Sequence, residues 1–255
     1  MKRTNYYVLG LFALIALFVS CKKTEDVVKP TSSITVYNGL TDGSAIFANF
    51  YKTGKLNFSS ILNGIQSASL GAGTYILEKG VISGTIPIDF YAYPDSANVA
   101  LSVTRDYKPS GMYSIFLAGT RSAIDTLITE DTIPVVPLTD SLLLIRTVNL
   151  SNFSVPVSVN ILGKASPIPG CESIKYKKTT GFLKVSVKRA DVPGNDLTLQ
   201  IRNAATGALL TYTAFAWRFV AGSESSSYIS KPATLIITSA GTNTVAKFIY
   251  PIKTK

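Results

Sequence analysis

Ile86-Pro-Ile88-Asp-Phe90-Tyr-Ala92 sets an apolar side chain at every second position. Successive side chains of a strand point to opposite faces, so this stretch buries one face and turns Tyr91 and Tyr93 toward the other. Leu183-Lys-Val185-Ser-Val187-Lys and Leu197-Thr-Leu199-Gln-Ile201-Arg repeat the pattern. Around them run short segments rich in Val, Ile, Thr, Tyr and Phe, punctuated by Gly, Pro, Asn and Asp, with little helical periodicity. Many short strands at turn-sized spacing predict an all-β chain built of Ig-like antiparallel β-sandwiches.

The pattern occurs twice. A shift of 111 residues lays Ile34 on Ile145, Asn38 on Asn149, Ile46 on Val157, Ala48 on Val159, Asn49 on Asn160 and Phe50 on Ile161. The same shift lays Ile86 on Leu197, Ile88 on Leu199 and Phe90 on Ile201. One shift serving two distant segments indicates duplication. Ile133-Pro-Val-Val-Pro137 precedes the second copy, and its prolines stiffen the join and block strand pairing. The expected domains are therefore a first sandwich at 33–133, a Pro-rich linker at 134–139 and a second sandwich at 140–255. Near the end, Gly111–Gly119 aligns with Ala233–Gly241 at a shift of 122, which places extra residues in a loop within Gly222–Tyr228.

At the other end, Lys2 and Arg3 precede an apolar run, Val8–Val19. As a helix these twelve residues span about 18 Å, too short for a ~30 Å hydrocarbon core. Basic start, short apolar run and small residue before a cut predict a signal peptide at 1–20. Phe18-Val19-Ser20-Cys21 resembles a bacterial lipobox, with Phe18 in place of the usual Leu. The resemblance implies lipidation of Cys21 and attachment to the membrane, made stable by a second acyl chain. Residues 21–32 then form a flexible tether. Its Lys22-Lys23-Thr24-Glu25-Asp26 resembles the surface-export signal of Bacteroidota lipoproteins, which implies an outer-membrane protein facing the cell surface, with the periplasmic face as the alternative.

Composition excludes much chemistry. The chain of 255 residues has no histidine, which removes Ser-His-Asp and Cys-His catalysis, His-ligated metal and histidine pH switching. Without Cys21 the second cysteine, Cys171, has no disulfide partner and reads as a bystander thiol in a turn. The acidic residues Asp42, Asp95, Asp106, Asp191 and Asp196 neighbour turn-forming or polar residues and are explained by turns. A carboxylate-only glycoside hydrolase is the remaining enzymatic alternative, and a non-catalytic protein is expected. Asp125, Glu130, Asp131 and Asp140 gather near the linker without a calcium-loop spacing, so no metal or other cofactor is assigned.

The tandem pattern resembles the bacterial family called domain of unknown function 4397. The resemblance rests on Val36-Tyr37-Asn38, Leu70-Gly-Ala-Gly73-Thr74-Tyr75 and Gly111-Met-Tyr113-Ser-Ile-Phe-Leu-Ala-Gly119, with Arg146-Thr147-Val148-Asn149-Leu150-Ser151 opening the second copy. It implies Ig-like sandwiches on a secreted or surface protein and no catalytic residues.

Three sets of residues are candidates for function. Asp95-Ser96-Ala97, Asp125-Thr126-Leu127, Asp131-Thr132-Ile133 and Asp140-Ser141-Leu142 resemble the Bacteroidota O-glycosylation sequon, which marks Ser96, Thr126, Thr132 and Ser141. Tyr91 and Tyr93 could stack on sugar rings or pair across strands. Phe215, Trp217 and Phe219 share one parity and read as core.

Charge supplies the third set. Residues 21–140 carry 9 basic and 11 acidic side chains, whereas residues 141–255 carry 14 and 4. The basic excess therefore belongs to the second half, densest at Lys175, Lys177, Lys178, Lys184, Lys188 and Arg189. Lys184 and Lys188 share an outer face, where lysines block edge aggregation or contact an anionic surface polysaccharide. Another envelope protein is the other expected partner. Nucleic acid is not, because export separates the chain from it. The expected role is structural or adhesive at the envelope, with a glycan-binding module as the alternative.

Overall fold

A computed structural model describes residues 29–53, 56, 58, 64–70, 74–153, 155–188, 197–215 and 231–249. The expected signal segment, Cys21, the Gly71–Gly73 motif, Asp191, Asp196, Arg189, Trp217, Phe219, the side chain of Phe215 and the loop expected within Gly222–Tyr228 lie outside the described residues.

The first half holds β1 (Thr31–Asn38), β2 (Ile46–Phe50), β3 (Ile76–Ile82), β4 (Gly84–Ala92), β5 (Leu101–Tyr107), β6 (Met112–Thr120) and β7 (Ala123–Glu130). They form an inner sheet, β3-β1-β6-β7, and an outer sheet, β2-β4-β5. The fold is an all-β sandwich, as the alternation predicts. Ile86, Ile88 and Phe90 of β4 are buried between the sheets with Ile34, Val36, Tyr113, Ile115 and Leu117. Every pair is antiparallel except β1 with β6, which run parallel.

The second half holds β8 (Leu142–Asn149), β9 (Val157–Ile161), β10 (Lys178–Thr179), β11 (Leu183–Ser186), β12 (Leu197–Asn203), β13 (Leu209–Phe215), β14 (Pro232–Ala240) and β15 (Asn243–Ile249). Its inner sheet runs β10-β8-β14-β15, with β11 also paired to β8, and its outer sheet runs β13-β12-β9. The topology of the first half recurs, including the parallel pair, here β8 with β14. Register carries the same 111-residue shift: Ala48 pairs with Phe90 and Val159 with Ile201, while Phe50 pairs with Ile88 and Ile161 with Leu199.

Three readings are corrected. The inner-sheet register pairs Ile34 with Tyr113 and Ile145 with Ala233, so the last segments correspond at a shift of 120, not 122. The hairpin ends agree, with Thr120 opposite Ala123 and Ala240 opposite Asn243. The tether ends earlier than position 32, because β1 begins at Thr31 and Ser32 is buried. Asp106 lies within β5, opposite Thr85, rather than in a turn.

Residues 131–137 lie outside strands, as the prolines require, and the two halves also pack against each other across the join. The two inner sheets pack face to face over a third apolar layer of Tyr37, Ala68, Ile76, Phe116, Ala118, Val148, Leu150, Ile236 and Ile249. Strands β6, β8 and β14 are consequently buried on both faces. In β6, Tyr113, Ile115 and Leu117 enter the first core while Phe116 and Ala118 enter the seam.

The seam has approximate two-fold character. β1 meets β14 through Tyr37 Oη and Thr234 Oγ1, 3.4 Å apart, and through Thr238 Oγ1 donating to Gly39 O at 2.7 Å. β8 meets β6, its swapped equivalent, where Arg146 Nη2 donates to Ser114 Oγ at 2.9 Å. Gly39 and Leu150, equivalent at the 111 shift, meet each other: a Cβ on Gly39 would lie 2.4 Å from Leu150 Cδ1.

Candidate functional site

Arg146 is the most heavily bonded side chain in the seam. It follows the apolar run Leu142–Ile145 on β8 and is 3% exposed. Its Nη1 donates to Asp131 Oδ1 at 2.6 Å, and its Nη2 donates to Thr234 Oγ1 at 3.1 Å as well as to Ser114. Asp131 also accepts from Ser114 Oγ at 2.5 Å and Thr129 Oγ1 at 2.7 Å. The guanidinium lies over Phe116 and Phe182, 5.0 and 4.7 Å from the ring centroids. A buried charge is tolerated only when paired and hydrogen-bonded, and this one is both. In the sequence Arg146 stands out only as part of the motif that opens the second copy; the signal of its role was a single charge in a strand otherwise free of charge.

Three of the four acidic residues near the linker are taken up by separate cations, while Asp140 accepts from Thr139 Oγ1 at 3.4 Å. Asp125 pairs with Lys177, Glu130 with Lys108 at 3.0 Å, and Asp131 with Arg146. Lys177 lowers the Asp125 carboxyl below its ordinary range, and the ion pair joins β7 to the second half. Among the described residues no group of three or more acidic or cysteine side chains could hold a metal ion. Asp95 caps a turn, accepting from the Ala97 and Asn98 N–H groups and from Asn98 Nδ2 at 2.9 Å. Those bonds, the Asn98 side chain first, lower its carboxyl. Asp42 likewise accepts from Ser44 N–H and Arg121 N–H.

The four sequon hydroxyls fall in two settings. Ser96 is exposed beside the Asp95 turn, and Thr132 is exposed at the rim of a seam cleft of about 280 Å³ that Arg146 and Phe182 also line. Thr126 is half-buried on β7, and Ser141 is half-buried, its carbonyl accepting from Val187 N–H at 2.9 Å.

Tyr91 and Tyr93 take the face opposite Phe90 and Ala92, but they do not form an open platform. Both are half-buried. Phe58 meets Tyr91 edge-on at 6.1 Å, and Phe47, directly across the ladder from Tyr91, lies 6.4 Å from Tyr93. The pair is used in cross-strand aromatic packing.

Lys184 and Lys188 are exposed, while Val185 and Val187 enter the second core and Leu183 packs against it. Lys184 lies on β11, which joins the inner sheet by pairing with β8. Between β11 and the turn after β9 opens a cleft of about 300 Å³, lined by Ile161, Lys164, Ser166, Pro167, Ile168, Pro169 and Lys184–Ser186. The structure thus brings Lys184 together with Lys164, which the sequence did not single out.

Cys171 is wholly buried in the second core. Burial pushes its thiol up to about 11, so it stays protonated at neutral pH, unlike an activated nucleophile.

No protein-family model and no curated protein sequence matches the chain. Among solved structures, it is similar to the CBM26-family module CBMbc of Amy13K from Eubacterium rectale, determined in complex with maltoheptaose. Identity is 12% over 87% of this chain and 98% of the module, with a TM-score of 0.22, too low to support any functional argument.

Proposed function

We propose that the chain is a non-catalytic lipoprotein of the bacterial outer membrane, anchored through Cys21, whose two sandwiches act as one stiff structural or adhesive element at the cell surface. In this reading residues 1–20 are the signal peptide, and the sandwiches belong with the domains of unknown function 4397 that they resemble. The observation that carries it is the seam. An apolar layer and a buried Arg146–Asp131 pair fix the two halves at one geometry, which suits a spacer or adhesin rather than a receptor that closes on its ligand. Ser96 and Thr132, the exposed sequon hydroxyls, are the favoured points for O-glycosylation, which would solvate the first half and the rim of the seam.

Protease shaving of intact cells tests the reading, with a Cys21→Ala control. Surface display requires that the native protein be digested on whole cells and that the variant lose its membrane attachment. Protection of the native protein would move it to the periplasmic face. Loss of incorporated palmitate in Cys21→Ala is expected, and unchanged labelling would refute the anchor.

A further inference from the structure

We propose that the cleft between β11 and the turn after β9 binds an acidic saccharide, with Lys164 and Lys184 holding its carboxylates and Ile161, Pro167 and Pro169 supporting its ring. This goes beyond a structural role and assigns the second half a ligand class.

Two chain segments far apart in sequence deliver the charges. Lys164 comes from the turn closed by its N–H on Ile161 O at 2.9 Å, and Lys184 from the short edge strand β11. Both ammonium groups stand exposed on the rim of one cleft, and neither takes part in the ion pairs formed among the described residues. Among the described residues no carboxylate lines the cleft. The carboxylate of Glu172 is turned back onto Gly170 N–H at 3.0 Å, away from neutralising either lysine. Like charges sharing one concavity raise its positive potential, and low-dielectric walls focus it. The potential therefore selects an anion.

The floor narrows the class. Pro167, Pro169, Ile161 and Ile168 make it apolar and stiff, since proline fixes its own φ. Sugar rings present C–H faces to such surfaces, while the volume of about 300 Å³ sits at the small end of ligand sites. A short acidic oligosaccharide answers both the rim and the floor. At the 111-residue shift Lys164 falls on Thr53, so this charge has no counterpart in the first half.

Calorimetric titration of the full-length chain in detergent tests the assignment. The probes are an oligogalacturonate, a neutral maltooligosaccharide of equal length, and inorganic phosphate. The acidic sugar is expected to bind, weakening as salt is raised. Lys164→Gln with Lys184→Gln should weaken it tenfold or more, while Lys79→Gln on β3 of the other half should leave it unchanged. Equal affinity for the neutral sugar, or binding that survives the double variant, would overturn the cleft while leaving a glycan-binding role elsewhere. Phosphate as tight as the sugar would overturn the saccharide assignment. No binding of any probe would remove ligand binding and leave the structural reading standing.

Discussion

At the residue scale, Cys171 shows how burial decides chemistry that a turn-like sequence leaves open. The segment does turn, with Cys171 N–H donating to Ile168 O at 2.8 Å, yet the side chain points into the second core. Desolvation raises the thiol from 9.0 to about 11, against a weaker opposing contact with Thr147 Oγ1 at 3.7 Å. Below about pH 8 the thiol is mostly neutral in both folded and unfolded chains. Above it the unfolded chain ionises first, so the folded state loses stability until its own thiol ionises near pH 11. The displacement from 9.0 to about 11 corresponds to roughly 3 kcal/mol. Denaturation midpoints of the native chain and Cys171→Ala should therefore converge from about pH 8 to about pH 11. A stability difference that is constant across that range would contradict the assigned cause.

Within the elements, the duplicated asparagines do the same work at the ends of β1 and β8. Asn38 Nδ2 donates to Ile65 O at 2.7 Å and Ser44 O at 2.8 Å, and its Oδ1 accepts from Leu40 N–H at 3.1 Å. Asn149 Nδ2 donates to Ile174 O at 2.9 Å, and its Oδ1 accepts from Ser151 N–H at 3.1 Å. Each ties a strand end to the loop returning over the core, and each is wholly buried. Ile65 O and Ile174 O keep a backbone donor each, but replacement by Ala leaves Leu40 N–H and Ser151 N–H without acceptors, so Asn38→Ala and Asn149→Ala should each cost about 1–3 kcal/mol per group stranded. Urea unfolding checks this, and a neutral effect at either position would break the equivalence of the copies. The correspondence itself was legible, because Asn38 falls on Asn149 at one fixed shift. The reason for it was not, since the bonded carbonyls of Ile65 and Ile174 lie about 25 residues downstream and only folding brings them back.

Over the whole molecule, the seam makes one body of two sandwiches. Arg146 contributes through what it would leave behind: Arg146→Ala strands the Asp131 carboxylate, and breaking such a buried pair typically costs about 3–5 kcal/mol. The halves are expected to unfold as one in the native chain and as two in the variant. Scanning calorimetry distinguishes these outcomes, and a single unchanged transition in Arg146→Ala would show that the apolar layer alone couples the halves.

The sequence by itself determined the strands, their duplication and the partition of charge. Each is a local or periodic property: alternation names the face of a strand, one shift names the repeat, and counting side chains names the basic half. Tertiary structure alone decided what meets the second face of the inner sheets. Residues such as Ile115-Phe-Leu-Ala118 are apolar at both parities, which says that both faces are buried but not against what. Stacking the two inner sheets supplied the answer, turned a proline-bearing join into part of a fixed seam, and enclosed Arg146 within it. It also set Lys164 beside Lys184, a pairing that depends on where a turn and an edge strand converge in space and that no spacing along the chain encodes.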